Sequence, residues 1–355
     1  MNYFTKESLI SKLNVSSEFL ELTNDEAGSV IISEYGGRPL GIFPTEDCYS
    51  LLWINPDINS RIRERKRDIG GDRYWISPER NFFYKDPENW KDWFCPTGLD
   101  PAYYKIVKRY PTACTLESKI SVKNQFTDDL YEGEVRRDIK LISEPISTGL
   151  PYCAIEFIDE CTLNKPNLKI NGWSLANIIS GGPKNPGTVL IPTLEDPEPI
   201  SYFRVIPKDR LHIGERFVAF KIDVDDIYKL GVKPEDLDLS WSPKIGYMIK
   251  IPESDKYGFL VKISDDIPTT QEDCFDIARD HPEADIGVVQ SYNSESPNRP
   301  KLRYGEIEIQ LNKFQTIENK SKGYSIHQLI AYIGSKDEIL SVIEKYLKIK
   351  NPRIF

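Results

Sequence analysis

The stretch RYGEIEIQLNKF, residues 303–314, alternates polar and apolar side chains over the length of a β-strand. Because successive side chains of a strand point to opposite faces of the sheet, Glu306, Glu308 and Gln310 share one face, and the Ile-Ile-Leu set between them shares the other. The Ile-Ile-Leu face predicts burial in a core. The Glu-Glu-Gln face lies either in solvent or in a polar cleft, and the alternation alone leaves both open.

Strand-like runs of this kind dominate the chain from about residue 28 to residue 333. Examples are SVIISEY, SKISVKNQF, RRDIKLISE, YCAIEFIDECTL, RFVAFKIDV and HQLIAYIG. Pro, Gly, Asn and Asp cluster between the runs, and the 25 prolines and 21 glycines fit a chain with many turns. Strands without regular helices between them predict antiparallel sheets packed face to face, and hence an all-β sandwich.

Helical patterns are confined to the two ends of the chain and a few connections. Residues 1–20 predict an N-terminal helical extension with Thr5 as a possible N-cap. Residues 335–349 predict a C-terminal helix that begins with the capping-box pattern Ser335-x-x-Glu. Since neither a repeat nor a low-complexity linker interrupts the 355 residues, we expect one β-sandwich domain over residues 1–355.

The bulk properties exclude several classes of protein. A net charge of −9 argues against a nucleic-acid partner, because such proteins usually carry a basic patch or stripe. The N-terminus lacks an apolar secretory segment, and no run approaches the roughly 18 apolar residues of a membrane helix, so we expect a cytoplasmic protein without a membrane partner. Six scattered cysteines without a C-x-x-C pair predict reduced, mostly buried thiols. The sequence carries no signal for the oligomeric state.

Motifs for nucleotides and metals are absent. The sequence holds no P-loop, G-x-G-x-x-G, H-E-x-x-H or G-x-S-x-G pattern. Its three histidines, His212, His281 and His327, are not spaced as a metal pair. The acidic cluster at 223–226 lacks the glycine of a calcium loop and is interpreted as a helix N-terminus. We therefore expect neither a cofactor nor a metal.

A second informative stretch is IGGDRYWISPER, residues 69–80. If it forms a strand after its two glycines, Arg73 and Trp75 point to the same face. A guanidinium beside an indole can either bind a polyhydroxylated ligand or close a core. In a cleft shared with the two glutamates described above, Arg73 would stabilise them, and their mutual repulsion would leave one carboxyl with a raised pKa suited to proton transfer.

Several short motifs occur in a specific order: YGGR at 35–38, then LLWINPD, GGDRYWISPE, GWSLANIISGGPKNPGTVLIPT, YGEIEIQ and HQLIAYIG. This series resembles the galactose mutarotase-like, or aldose 1-epimerase-like, superfamily over roughly residues 25–348. The likeness is closest to its poorly characterised branches, which carry a G-G-x-R-x-W-x-x-P-E signature. The resemblance implies a large antiparallel β-supersandwich of galactose mutarotase type, which binds a small-molecule carbohydrate in an open cleft on one sheet.

The resemblance also implies roles for individual residues. Arg73 falls where aldose epimerases place a substrate-binding arginine, and the triplet Glu308-Ile-Gln310 resembles the stretch that holds their general base. That base takes the proton of the anomeric hydroxyl while an acid protonates the ring oxygen, which opens the ring. We therefore expect Glu308 and Glu306 to be catalytic. The expected substrate-binding residues are Arg73, Trp75, Glu79, Arg38, Gln310 and Trp93.

The tryptophans of the segment 78–105 are the expected stacking surface, because sugar C–H faces pack on aromatic rings. This segment is the longest irregular insertion in the chain, and loops of that length are more often functional than not. Trp90 and Trp93 flank Lys91 and Asp92, so we expect these two indoles to be the most exposed. Core filling is the alternative for each tryptophan.

One departure from the family pattern concerns the acid. In the epimerases it is a mid-chain histidine near an Asn-His-x-x-x-Asn-Leu pattern, whereas this chain reads NGWSLANIISGG, with Trp173 and Ser174 and no histidine. His212 and His327 are the candidate replacements. Two hypotheses follow: an epimerase-like isomerase with Glu308 as base, or a non-catalytic carbohydrate-binding protein that has lost the acid histidine. A glycoside hydrolase ranks behind both, since it would need Glu79 and a second carboxylate roughly 5–10 Å apart.

Overall fold

The structure is a computed structural model that describes residues 3–24, 28–276, 287–296 and 299–355. Its α-helices are α1 (Lys6–Leu13), α2 (Ile58–Arg63), α3 (Glu79–Phe83) and α4 (Lys336–Leu347), and two short 3-10 helices span Pro234–Asp236 and Gln271–Asp273. Its strands are β1 (Phe19–Thr23), β2 (Ser29–Ser33), β3 (Arg38–Phe43), β4 (Asp72–Ser77), β5 (Tyr84–Asp86), β6 (Lys91–Trp93), β7 (Lys105–Arg109), β8 (Ala113–Lys123), β9 (Leu130–Leu141), β10 (Tyr152–Leu163), β11 (Asn171–Ile178), β12 (Gly187–Pro192), β13 (Ile200–Ser201), β14 (Leu211–Ile213), β15 (Phe217–Ile222), β16 (Tyr228–Val232), β17 (Pro243–Lys250), β18 (Tyr257–Ile263), β19 (Val289–Ser296), β20 (Arg299–Lys313), β21 (Gln315–Ile317) and β22 (Lys320–Gly334).

Two antiparallel sheets form the main framework. The larger has the order β14–β15–β12–β17–β18–β22–β10–β9–β8–β7, with β21 beside β22. The smaller has the order β13–β16–β19–β20–β11–β4. A three-stranded sheet (β1–β2–β3) and the β5–β6 hairpin complete the arrangement. The predicted all-β architecture of antiparallel sheets is confirmed.

The main core lies between the two large sheets. The Ile-Ile-Leu face of β20 is fully buried, and it belongs to the same cluster as Ile155 and Phe157 of β10. In β8 the buried and exposed side chains alternate, which is the pattern of a strand with one face against a core and the other in solvent. The prediction that the apolar side of residues 303–314 faces a core is therefore confirmed.

Short helices lie at both ends of the chain, as predicted. In α1 the side chain of Thr5 accepts a hydrogen bond from the backbone N–H of Ser8. In α4 the capping box of Ser335 and Glu338 is present. The buried side chains of α4 recur at helical spacing and pack on the outer face of the larger sheet, against residues such as Met248 and Phe259.

Two local predictions are wrong. The acidic cluster at 223–226 forms a turn between β15 and β16 rather than a helix N-terminus. The backbone N–H groups of Asp223 and Val224 donate to the side-chain oxygen of Asn293 on β19, which fixes the turn. The segment 78–105 is also more regular than expected, because it contains α3 and the β5–β6 hairpin.

The cysteines agree with the prediction of reduced, mostly buried thiols. The six cysteines are free thiols, and Cys95 alone among them is half-buried while the others are buried. Among the described residues, no helix combines the length and the apolar character that crossing a bilayer requires.

Candidate functional site

One face of the smaller sheet carries a dense set of polar side chains. One row across the strands joins Arg73 of β4 to Leu175 of β11 and Leu175 to Glu308 of β20. Glu308 in turn pairs with Gln290 of β19. The next row joins Asn177, Glu306, Tyr292 and Lys229. We call this surface the polar face and define it by ten residues: Arg73, Trp75, Trp173, Asn177, Lys229, Gln290, Tyr292, Glu306, Glu308 and Gln310.

Two glycines determine where β4 begins and therefore where Arg73 lies. Gly70 and Gly71 have φ angles of +96° and +80°, which only glycine adopts without strain. A Cβ atom on Gly70 would lie 2.1 Å from the carbonyl oxygen of Trp53, and one on Gly71 would lie 2.2 Å from that of Pro39. The GG pair is thus required by a tight entry to the strand, as the sequence suggested.

Arg73 forms a buried ion pair with Glu306. Its Nη2 donates to Glu306 Oε1 at 2.6 Å and its Nη1 donates to Asn177 Oδ1 at 2.9 Å. Asn177 Nδ2 in turn donates to the same Glu306 oxygen at 2.9 Å. Burial lowers the pKa of Arg73, but Glu306 and neighbouring anionic groups outweigh it, so the pKa of the guanidinium is raised. The three side chains therefore form a fixed, charge-balanced unit.

Trp75 lies beneath this unit and is itself buried. The guanidinium carbon of Arg73 is 4.3 Å from the centre of the indole, which is a cation–π distance. The indole N–H donates to Asp100 Oδ2 at 3.1 Å, and the ring packs against Phe83 and Trp173. Trp75 thus supports the arginine from below.

Arg38 is connected to the polar face through Asp100. It is fully buried on β3, where it pairs with Asp100 and donates to the carbonyl oxygens of Gly36 and Gly70. The other Asp100 oxygen lies 3.9 Å from Arg73 Nε. Arg38 therefore braces the start of β4 and the carboxylate that holds Trp75.

Glu308 lies at the centre of the polar face and has 0% exposure. Lys229 Nζ lies 3.3 Å from its Oε2 atom, an ion-pair distance that is off the direction of a hydrogen bond. Neither carboxylate oxygen accepts a hydrogen bond from the described part of the chain. Burial raises the pKa of Glu308 to about 8, with Lys229 opposing the shift and Glu306 and Glu79 adding to it. Such a carboxyl can exchange a proton near neutral pH.

Lys229 is a site residue that sequence reasoning missed. It is 4% exposed, and its ammonium lies 4.7 Å from the centre of the Trp173 ring and 5.2 Å from that of Tyr202. Glu79 Oε2 is 3.8 Å away. The stretch YKLGV gives no sign of this role, because the pairing of β16 with β19 joins segments more than fifty residues apart.

Several buried polar atoms of the polar face have no hydrogen-bond partner among the described residues. They are Glu308 Oε1 and Oε2, Gln310 Oε1 and Nε2, Gln290 Oε1, Trp173 Nε1 and Arg73 Nε. An unpaired buried polar group costs about 1–3 kcal/mol, so native proteins seldom leave several together without reason. These atoms are concentrated on one face of the smaller sheet, where they offer hydrogen-bond donors and acceptors that the described residues do not use.

The segment 78–105 supplies a rim beside the polar face. The side chain of Trp93 is 39% exposed, and its indole N–H donates to Glu79 Oε1 at 2.8 Å. The backbone N–H of Glu79 donates to Asp276 Oδ1 at 3.0 Å, while Asp276 Oδ2 accepts from Gln290 at 2.7 Å. Trp90 is half-buried against Tyr84, so of the two indoles expected to be exposed only Trp93 is. Glu79 therefore connects the exposed Trp93 at the rim to Lys229 on the smaller sheet.

The candidate acid histidines lie on the other sheet. His327 of β22 is fully buried, with Nε2 at 2.8 Å from Asp159 Oδ2 and its ring stacked on Phe157. Burial lowers the pKa of His327, although Asp159 opposes the shift. His212 belongs to β14 at the edge of the same sheet. His281 lies outside the described residues. None of the histidines in the described ranges is part of the polar face.

A second buried charge network lies behind β4. Asp72, on the side of β4 opposite Arg73, pairs with Lys262, whose ammonium also donates to Ser174 Oγ at 2.6 Å. Arg137 lies 3.5 Å from Asp72 and donates to Asp159 at 2.8 Å. All four charged side chains are fully buried. The network holds β4 against the larger sheet.

No group of three or more His, Cys, Asp or Glu side chains that could hold a metal ion occurs among the described residues.

Fold and site together define an antiparallel β-protein with a buried, partly unsatisfied polar face on its smaller sheet. Residues 3–152 match a family described as being of unknown function, DUF6786. No curated protein matches the chain.

Three of the solved structures that are similar to this chain are 9–10% identical to it. A GalM/aldose epimerase homologue from C. elegans is 9% identical with a TM-score of 0.43, and the match covers 90% of this chain and 99% of that one. Galactose 1-epimerase from Lactobacillus acidophilus NCFM is 10% identical with a TM-score of 0.45, and the match covers 89% of this chain and 94% of that one. A 4-alpha-glucanotransferase from Thermococcus litoralis is also similar, at 10% identity and a TM-score of 0.32, covering 91% of this chain and 40% of that one.

Proposed function

We propose that the polar face binds a sugar or sugar derivative and that Glu308 acts on it as a general base, in an epimerase-like isomerisation. The observation that carries this proposal is the state of Glu308: fully buried, without a hydrogen bond to either carboxylate oxygen from the described residues, and with a pKa raised to about 8 by burial. A polyhydroxylated ligand offers donors and acceptors at once, which is what the unpaired carboxylate, amides and indole N–H need.

The chemistry follows from the arrangement of charges. Ionised Glu308 would accept the proton of the anomeric hydroxyl while the bond from the anomeric carbon to the ring oxygen breaks and the ring oxygen takes a proton from water. The raised pKa makes Glu308 a stronger base than an ordinary carboxylate. The Arg73–Glu306–Asn177 unit is rigid, so it would orient ring hydroxyls without rearranging. Trp93 is exposed enough to stack on a sugar C–H face at the rim. The motif resemblance supplies the substrate class.

The alternative is a carbohydrate-binding protein without catalysis. One observation favours it: in the described ranges, no histidine stands on the polar face as the acid of the reaction. A glycoside hydrolase is not favoured, because Lys229 lies against both Glu79 and Glu308, at 3.8 and 3.3 Å, where a scissile bond would have to fit.

The test is a panel of aldoses and sugar phosphates, with binding followed by tryptophan fluorescence and anomer interconversion followed by NMR exchange. We expect at least one sugar to bind and to interconvert faster with the protein. Glu308→Gln should abolish the acceleration and leave binding largely intact, while the exposed Glu318→Gln serves as the matched control. Binding without acceleration supports the non-catalytic alternative. Failure of every sugar to bind would contradict both.

A further inference from the structure

The side chain of Lys229 extends across the polar face to a strand that does not pair with its own. It starts on β16, crosses the intervening strand β19, and reaches Glu308 on β20 at 3.3 Å. The same ammonium reaches Glu79 of α3 at 3.8 Å. One cation therefore touches the candidate base in the sheet and a carboxylate at the rim. Its stem and ammonium are almost entirely buried, so solvent screens these contacts little.

The charged and titratable groups around Glu308 and Lys229 come from several elements. Those that act on Glu308 are Lys229 of β16, Glu306 of β20, Arg73 of β4, Glu79 of α3 and Tyr202 after β13. Tyr292 of β19 and Asp276 act on Lys229. Arg73 is already committed to Glu306 and Asn177. Among the described residues, Lys229 is consequently the nearest cation that remains for Glu308. Burial lowers the pKa of Lys229, but the surrounding carboxylates outweigh it and raise that pKa, so the ammonium stays charged.

We propose that Lys229 is a positioning residue of this site, which favours the ionised form of Glu308 against the effect of burial and ties Glu79 of the rim to the sheet. The proposal deepens the function proposed above and rests on it for its catalytic meaning. Lys229 acts through Glu308 and is not itself assigned a step on the sugar.

The proposal predicts shifts of opposite sign for two variants. Lys229→Met removes the cation and leaves Glu308 buried beside two carboxylates, which disfavours its ionised form. Glu79→Gln removes one of those carboxylates and keeps the cation, which favours the ionised form. If Lys229 only filled space, its replacement would lower the stability of the protein and leave the titration midpoint of Glu308 unchanged.

The experiment is a ¹³C NMR titration of the glutamate side-chain carboxyls, in which Glu308→Gln assigns the Glu308 signal. We expect Lys229→Met to raise the midpoint of Glu308 by about one pH unit or more and Glu79→Gln to lower it. Lys229→Arg should stay within about half a unit of the wild type, because it keeps the charge. Lys244→Met is the matched control: Lys244 is equally buried, but it lies on β17 of the other sheet near Asp265.

An unchanged midpoint in Lys229→Met would overturn the proposal. If that variant fails to fold, a midpoint that rises or stays fixed in Glu79→Gln, or that moves by more than about half a unit in Lys229→Arg, has the same consequence. The titration needs no sugar. Midpoints that move as expected in a protein that binds no sugar would remove the proposed function and keep the role of Lys229. Sugar turnover that depends on Glu308, with a titration midpoint insensitive to Lys229, would keep the proposed function and remove the role of Lys229.

Discussion

The buried pair of Arg73 and Glu306 gives the sharpest prediction for stability. Arg73→Met removes the guanidinium and keeps most of the apolar stem over Trp75. Glu306 then loses a 2.6 Å charged hydrogen bond and retains the 2.9 Å bond from Asn177. Breaking a buried ion pair by removing one partner costs about 3–5 kcal/mol, because an uncompensated charge remains in a poorly solvated place. Since Asn177 still solvates the carboxylate, we expect a loss of about 3 kcal/mol in the free energy of unfolding.

The double variant Arg73→Met with Glu306→Gln tests the cause of this loss. With both charges removed, the free energy of unfolding should return to within about 1.5 kcal/mol of the wild type. Urea unfolding followed by tryptophan fluorescence measures all three proteins. Arg109→Met is the control, because its ion pair with Glu18 is 3.5 Å long and half-exposed, and such pairs contribute about 0–1 kcal/mol. A double variant no more stable than Arg73→Met would refute the reasoning.

Three further predictions concern the entry to β4, the charge network behind it and the rim. Gly71→Ala should lower the free energy of unfolding by about 1–3 kcal/mol in urea titrations, because φ is +80° and a Cβ would lie 2.2 Å from a backbone oxygen; an unchanged midpoint would contradict it. Burial raises the pKa of Asp159, but Arg137 and His327 outweigh it, so the folded pKa is below the ordinary value. Its stabilisation should therefore be present above about pH 4 and be lost as the pH falls further, and Asp159→Asn should flatten that dependence in acid-unfolding curves. Trp93→Phe should weaken sugar binding severalfold in fluorescence titrations with little change in stability, because Trp93 is 39% exposed and only its bond to Glu79 is lost; equal affinity would exclude Trp93 from the site.

Much of the fold could be predicted because its signals are local. The alternation of residues 303–314 placed the Ile-Ile-Leu side of β20 in the main core correctly, and left open whether the opposite side faces solvent or a polar cleft. The capping pattern at Ser335 identified the start of α4. These features depend on side chains one to four positions apart, which a sequence displays directly. The turn at 223–226 was misjudged because its backbone hydrogen bonds go to Asn293, a residue about 70 positions away.

The candidate site was only half visible for the same reason. Arg73 was expected to stabilise the two glutamates if all three shared a cleft, and in the structure it donates to Glu306 at 2.6 Å. Lys229, Asn177 and Gln290 were missed, because each joins the polar face through the strand order β16–β19–β20–β11, which no local pattern encodes. The side-chain bond of Trp75 to Asp100 likewise depends on a loop that returns to β4.

The central claim is that Glu308 is a base that works on a sugar held at the polar face. The most direct measurement is the pH dependence of kcat/KM for anomer interconversion, from about pH 6.5 to 9.5. Because the base must be ionised and burial raises its pKa to about 8, the rate should rise with pH through that value and level off above it. Glu308→Gln should remove both the activity and its pH dependence. A rate that is independent of pH in this range, or equal in Glu308→Gln and the wild type, would contradict the account.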